Sequence, residues 1–168
     1  DPDNIHHAGF YCMDTSTPLG RDTLLSTMAS AGSAYSAAGY LMEGKGRRAY
    51  SLTRPPGHHA HKEYFGGYCY FNNAAIAAAR FREAGPVAVV DIDFHHGDGT
   101  QSIFYYDNQV LTISLHADPR EHFPYFSGYA HEIGLGAGEG FNLNVPLPAG
   151  TDGATFRQAL VDVVIPKL

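Results

Sequence analysis

A chain of 168 residues with 44% apolar composition can fold as one domain around a real core. Its formal net charge of -6, with only 11 Lys plus Arg, leaves no basic stripe for nucleic acid. No apolar run reaches membrane-spanning length, and two cysteines supply neither a disulfide framework nor a zinc-finger spacing, so a reducing, cytoplasmic setting is expected.

Residues 1–20 read as a polar loop closed by Pro18 and Gly20. An Ala-, Ser- and Leu-rich stretch predicts a helix over 22–42, ended by Gly44 to Gly46. Residues 49–53 read as a short strand, stopped by Pro55-Pro56-Gly57. The alanine run predicts a helix over 71–84, capped by Asn72 or Asn73 and terminated by Gly85-Pro86. A continuous apolar strand follows over 87–93, then a short helix over 99–106 and a buried strand over 110–116. Residues 117–140 form a long Gly-, Pro- and aromatic-rich loop, a length that usually signals function. A strand over 141–146 and a helix over 154–165 complete the pattern. Alternating strands and helices predict an α/β fold with a mainly parallel sheet, whose sites form at the carboxyl ends of the strands.

The run DIDFHHGDG at 91–99 carries three aspartates and two histidines in nine residues. Carboxylates and imidazoles at a buried strand end are costly unless paired or bound to metal. Asp91, Asp93 and His95 alternate, so an extended chain turns them to one face. Asp93 and His95 are candidate ligands of a divalent metal. Zinc (Zn2+) suits mixed oxygen and nitrogen donors, and Fe2+, Co2+ or Mn2+ also fits. The tandem His58-His59 in a Pro/Gly loop reads as acid–base machinery near neutral pH. Each imidazole needs an orienting carboxylate, and Asp91 and Asp98 remain available for that task. His6, His7, His61, His122 and His131 read as solvated loop residues, and Glu132 is explained equally by an ordinary surface acid and by attraction of a cationic substrate. His116 either lines the site or packs, and Cys69 fills a small buried space.

The segments RPPGHHA, GGYCYFNNAAIAA, VVDIDFHHGDGTQSIFY and ISLHADP, in this order, resemble the histone deacetylase superfamily. HADPREHFPYFSGYAHEIG and GFYCMDTSTP are similar to its bacterial acetylpolyamine amidohydrolase branch, itself similar to class II deacetylases. The resemblance runs from about residue 8 onward. It implies a three-layer arginase/deacetylase-like α/β fold, a mainly parallel central sheet flanked by helices, and hydrolysis of N-acetyl amides. Asp93 and His95 are then zinc ligands, His59 the proton shuttle and His58 chiefly electrostatic, with Asp91 paired to His58 and Asp98 to His59. Asp91, Asp93, His95, Ser114 and Leu115 resemble the family's structural potassium (K+) site, and Phe104, Asp107, Val110 and Phe141 a second monovalent-cation site. Gly67, Tyr68 and Phe123 resemble the walls of the substrate tunnel. Tyr68 stands where many histone deacetylases carry phenylalanine, a departure that agrees with the polyamine branch.

The family also has a third zinc ligand, an aspartate, and a catalytic tyrosine in a glycine-rich segment, both downstream of the segment VPLPAGTDGATFRQAL. The expectation is therefore that residues 1–168 are a partial catalytic domain, inactive or nearly so alone, within an active and homodimeric parent. The expected substrate is an acetylated polyamine. An acetyl-lysine protein or peptide is the alternative, and a non-catalytic metal-binding module the reading from another class. Arginase-like dimanganese hydrolysis shares the fold, but the tandem GHH loop argues against it.

Overall fold

The computed structural model describes residues 9–168, which divide into two compact units meeting in sequence at Gly85 and Pro86. Expectations for residues 1–8, including His6 and His7, lie outside the described residues.

In the first unit two helices, α1 (Thr23–Met42) and α2 (Asn73–Phe81), pack through small residues: Ala31, Ala34 and Ala38 on one, Ala75 and Ala78 on the other. Alanine keeps side-chain entropy loss near zero and lets helix backbones approach. Polar bonds complete the contact. Asn73 Nδ2 donates to Ser30 Oγ at 2.9 Å, and Ser30 Oγ donates to the Pro55 carbonyl at 2.8 Å. Arg80 lies over the Tyr35 ring at 3.9 Å and donates to the Tyr35 carbonyl at 2.7 Å. A methyl group at Gly39 would overlap its guanidinium.

Two predicted boundaries shift here. Asn72 is the cap of α2, its Oδ1 accepting from Ala75 N–H at 2.9 Å. The helix closes at Phe81 rather than 84, because tight turns from Arg80 and Phe81 replace the helical bonds. Residues 49–53 are not a strand. The stretch shows the alternation of one, with Tyr50 87% and Leu52 83% exposed, but no neighbouring strand among the described residues supplies a ladder.

The second unit is a three-stranded parallel sheet in the order β1 (Val87–Asp91), β2 (Val110–Ala117), β3 (Asn142–Leu147). Helix α3 (Asp98–Phe104) crosses from β1 to β2, and α4 (Gly153–Ala159) follows β3. The sheet is flanked by helices, as expected, although β1 ends at Asp91 rather than 93. There the Asp91 carboxylate captures the Asp93 N–H at 3.0 Å and turns the chain out of the ladder. The predicted helix over 154–165 changes register. After Ala159 it widens into a π turn (Leu160–Val164) and tightens into a 3₁₀ turn (Ile165–Lys167) at Pro166, which has no N–H to donate.

Strand periodicity gives the sheet two unlike faces. Ile113 and Leu115 of β2 form an apolar core with Val164, flanked by Leu143, Val145, Phe156 and Leu160. The opposite face carries Thr112, Ser114 and His116 of β2 and Asn142 and Asn144 of β3, all buried. Ile113→Ala removes the centre of the apolar face and should cost about 2–5 kcal/mol by urea unfolding, with a slope near wild type. A loss below about 1 kcal/mol would show that the core lies elsewhere.

Candidate active site

The tandem histidines are seated by the start of α2. Asn72 Nδ2 donates to the Ala60 carbonyl at 3.1 Å, and Ala60 N–H closes a turn on Gly57 at 3.0 Å. Gly57 must be glycine, since a Cβ there would come within 2.5 Å of Asn73 N. The His58 and His59 rings lie 4.0 Å apart between centroids, and His59 is buried. Gly67 lies flush against His59, so that any Cβ at Gly67 would overlap the imidazole. Gly67 and Tyr68 both hold positive φ, +56° and 68°, and Tyr68 presents an exposed ring. The first unit thus brings together His58, His59, Gly67 and Tyr68.

The second unit gathers Asp91, Asp93, His95 and Phe123 at the carboxyl end of β1. Asp93 Oδ1 accepts from His95 N–H at 2.8 Å and lies 3.5 Å from His95 Nδ1. The loop is held to β2 by Ala117 N–H, which donates to the Phe94 carbonyl at 2.8 Å. His95 meets Phe123 edge to face at 6.2 Å, and Phe94 meets His122 likewise at 4.9 Å. His122, half-buried in its loop, is thus also an aromatic partner, and His61, half-buried as well, stacks on Tyr64 at 3.9 Å. A groove of about 510 Å³ runs beside Asp93, Phe94, His122 and Phe156. Asp98 is buried at the first turn of α3.

Asp93 and His95 present one carboxylate and one imidazole, a donor pair that fits zinc. Among the described residues no group of three or more His, Cys, Asp or Glu side chains is arranged to hold an ion. Register places Asp91 beside Ser114, with Leu115 next along β2. Phe104 and Asp107 share a turn through Asp107 N–H, and the Phe141 carbonyl accepts from Thr112 N–H near Val110. Within this unit Asp91 is thus adjacent to Ser114, and Phe104 to Asp107.

Beside the loop after β1 lies a polar network that its sequence pattern did not signal. Gln101 Oε1 accepts from Asn142 Nδ2 at 2.9 Å, from Asn144 Nδ2 at 2.8 Å and from His96 Nε2 at 3.1 Å. Its amide nitrogen donates to Glu132 Oε2, which also accepts from Gly128 and Tyr129 N–H. Glu132 is accordingly a loop anchor and not a surface acid. His116 is packed, its Nε2 donating to the Gly128 carbonyl and its Nδ1 accepting from Ser114 Oγ. Burial, aided by neighbouring His116, pushes His96 down to about 3, so His96 is neutral at physiological pH. Cys69 is fully buried, as expected.

The loop bearing Phe123 starts at Asp118, whose carboxylate is gripped in bidentate fashion by Arg120 and accepts Arg120 N–H at 2.9 Å. Those Arg120 bonds hold the Asp118 carboxyl at about 2, below the ordinary 3.8. The folded state therefore binds this proton less readily than the unfolded state. The contribution is complete above pH 3.8 and is lost as pH falls toward 2. Asp118→Asn should remove that portion of the acid-unfolding curve and leave the neutral-to-alkaline portion parallel to wild type, measured by circular dichroism. An unchanged acid limb would contradict the pairing.

The chain matches the family model described as histone deacetylase domain over residues 3–168. It is 52% identical over 163 residues to acetylpolyamine amidohydrolase 2 of Pseudomonas aeruginosa, covering 95% of this chain and 47% of that protein. It is 42% identical over 167 residues to a histone deacetylase-like amidohydrolase of the same organism, covering 98% and 43%. The crystal structure of an acetylpolyamine aminohydrolase from Burkholderia pseudomallei superposes with a TM-score of 0.87 at 44% identity, over 90% of this chain and 44% of the other. An HDAC homologue from Aquifex aeolicus gives 0.79 at 34%, over 89% and 40%. The chain spans about half the length of the curated relatives it matches.

Proposed function

This chain belongs to the histone deacetylase domain family, and from that premise we propose that the protein hydrolyses N-acetyl amides, with acetylated polyamines as its substrate class. The observation that carries the reading is the buried, paired imidazole: His59 held against Gly67, its ring tilted against that of His58, in a segment built to keep it there. The substrate class is supported by the relatives at 44–52% identity, which are named acetylpolyamine amidohydrolases.

In this reading Asp93 and His95 would hold a zinc ion. When bound, the ion would supply Lewis-acid chemistry to the amide hydrolysis. His59 takes a proton from the attacking water at a ring nitrogen and returns it to the departing amine nitrogen. The water oxygen bonds to the acetyl carbon, the carbon–nitrogen bond breaks, and acetate and the free amine leave. His58 stabilises the charge on its neighbour, with Asp91 orienting His58 and Asp98 orienting His59. Tyr68 and Phe123 contribute aromatic walls that admit a slender alkylamine and exclude bulk. The backbone around Asp91, Asp93 and His95, with Ser114 and Leu115, would take a structural potassium ion.

The test is turnover by the complete natural protein containing these residues, supplied with zinc. N-acetylputrescine should be favoured over an acetyl-lysine peptide by at least about 10-fold in kcat/KM, and His59→Ala should lower kcat by about 100- to 10,000-fold. Equal or better turnover of the peptide would assign a protein deacetylase instead. Metal-loaded protein that turns over neither would mark a binding module.

A further inference from the structure

The GGYC segment forms a tight hairpin closed by Gly66 N–H to the Cys69 carbonyl at 3.2 Å and Cys69 N–H to the Gly66 carbonyl at 2.8 Å. Its two central residues, Gly67 and Tyr68, both have positive φ. That geometry is ordinary for glycine and asparagine but unfavourable for a bulky side chain, so Tyr68 must be held there by its surroundings. What holds it comes from a segment some fifty residues earlier. Asp14 Oδ2 accepts the Gly67 N–H, and Thr17 Oγ1 accepts the Tyr68 N–H at 3.0 Å. The Thr17 hydroxyl has one proton, which it gives to Asp14, at 2.9 Å from Oδ1. Asp14 Oδ1 is fixed in turn by Ser16 N–H at 2.7 Å and Ser16 Oγ at 3.1 Å.

Two consecutive amides are thus tied to two consecutive acceptors, and the acceptors are tied to each other. The strand-like pairing of the same segments, Met13 N–H to the Phe65 carbonyl and Phe65 N–H to the Tyr11 carbonyl, sets the register that makes this possible. Burial opposes ionisation of Asp14, but the bonds from Gly67, Thr17 and Ser16 outweigh it and hold the carboxyl below its ordinary range. Asp14 is therefore an anion at neutral pH, and these are charge-assisted bonds.

We infer that Asp14 and Thr17 are positioning residues for the deacetylation proposed above: they clamp the left-handed Gly67–Tyr68 backbone and so set both the surface against which His59 rests and the direction of the Tyr68 ring. The inference rests on that functional reading. Neither side chain touches the reacting atoms. Gly67 without its clamp would swing away from the imidazole, and Tyr68 without its clamp would relax to negative φ and carry its ring out of the wall.

The experiment uses the complete natural protein with zinc and three variants, Thr17→Val, Thr17→Ser and Asp14→Asn. Thr17→Val keeps the shape of threonine and removes the hydroxyl. Two readouts are taken: hydrogen exchange at the Gly67 and Tyr68 amides, and the ratio of kcat/KM for N-acetylputrescine to that for an acetyl-lysine peptide. Thr17→Val and Asp14→Asn should speed exchange at these amides and change the substrate ratio by about 10-fold, while Thr17→Ser should restore both. A merely destabilised enzyme loses both substrates by the same factor, so an unchanged ratio overturns the inference and leaves the functional reading intact. Unchanged amide exchange in both Thr17→Val and Asp14→Asn overturns it as well. Absence of turnover by the wild type removes the functional reading, and the positioning role falls with it.

Discussion

The second unit depends on the parallel register that sets Asp91, Ser114 and Asn144 side by side across three strands. One row back, Val89, Thr112 and Asn142 are aligned in the same way. A register slip of one residue would exchange the sheet faces, turning Ile113 and Leu115 toward α3 and Ser114 and His116 toward α4. The sheet thus commits one face to apolar packing and the other to polar groups that must all be satisfied. Gln101 meets that demand, because its one side-chain amide serves both asparagines, His96 and Glu132. A buried polar face is costly unless complete, and this one is bonded from strand to helix to loop.

That face explains how the site residues are held on loops without being loose. Asp93 and His95 hang beyond the end of β1, yet the chain on either side is fixed: Asp91 captures the Asp93 amide, and the Phe94 carbonyl is bonded to β2. The long segment after β2 is fastened near its start by Asp118 with Arg120 and further along by Glu132. In the first unit Asn72 ties the histidine loop to a helix start, and Asp14 with Thr17 ties the Gly67–Tyr68 turn. Polar side chains bonded to backbone amides or carbonyls recur in these anchors, and Asp91 and Asp93 of the candidate site take part in them, each holding an amide of its own loop.

Much of this was legible in the sequence, for identifiable reasons. LTISL signalled β2, a strand buried along most of its length; VAVV signalled β1, but among the described residues that strand is only half-buried, with Val90 36% exposed. The density of His and Asp in DIDFHHGDG and the tandem pair in PPGHHA marked the candidate site because such groups are rarely spent on packing. The positioning residues were not legible. Asp14, Thr17, Gln101 and Glu132 are ordinary polar residues whose roles come from partners distant in sequence, up to 53 positions for Asp14 and Gly67. The strand expected at 49–53 failed for the converse reason: alternation is a local property, whereas a strand also needs a neighbour. Gly67, flanked by Gly66 and aromatic residues, was the one available hint that a backbone turn lay close to something.

A crystal structure of the complete natural protein grown with zinc, with the ion located by anomalous scattering at the zinc edge, tests the central claim most directly. The account predicts one ion bonded to a carboxylate oxygen of Asp93 and a ring nitrogen of His95, at about 2.0–2.2 Å, with the His58 and His59 rings facing it across the space of a small substrate group. An ion bound by other residues, or the histidine pair turned to the far side of the sheet, would contradict it.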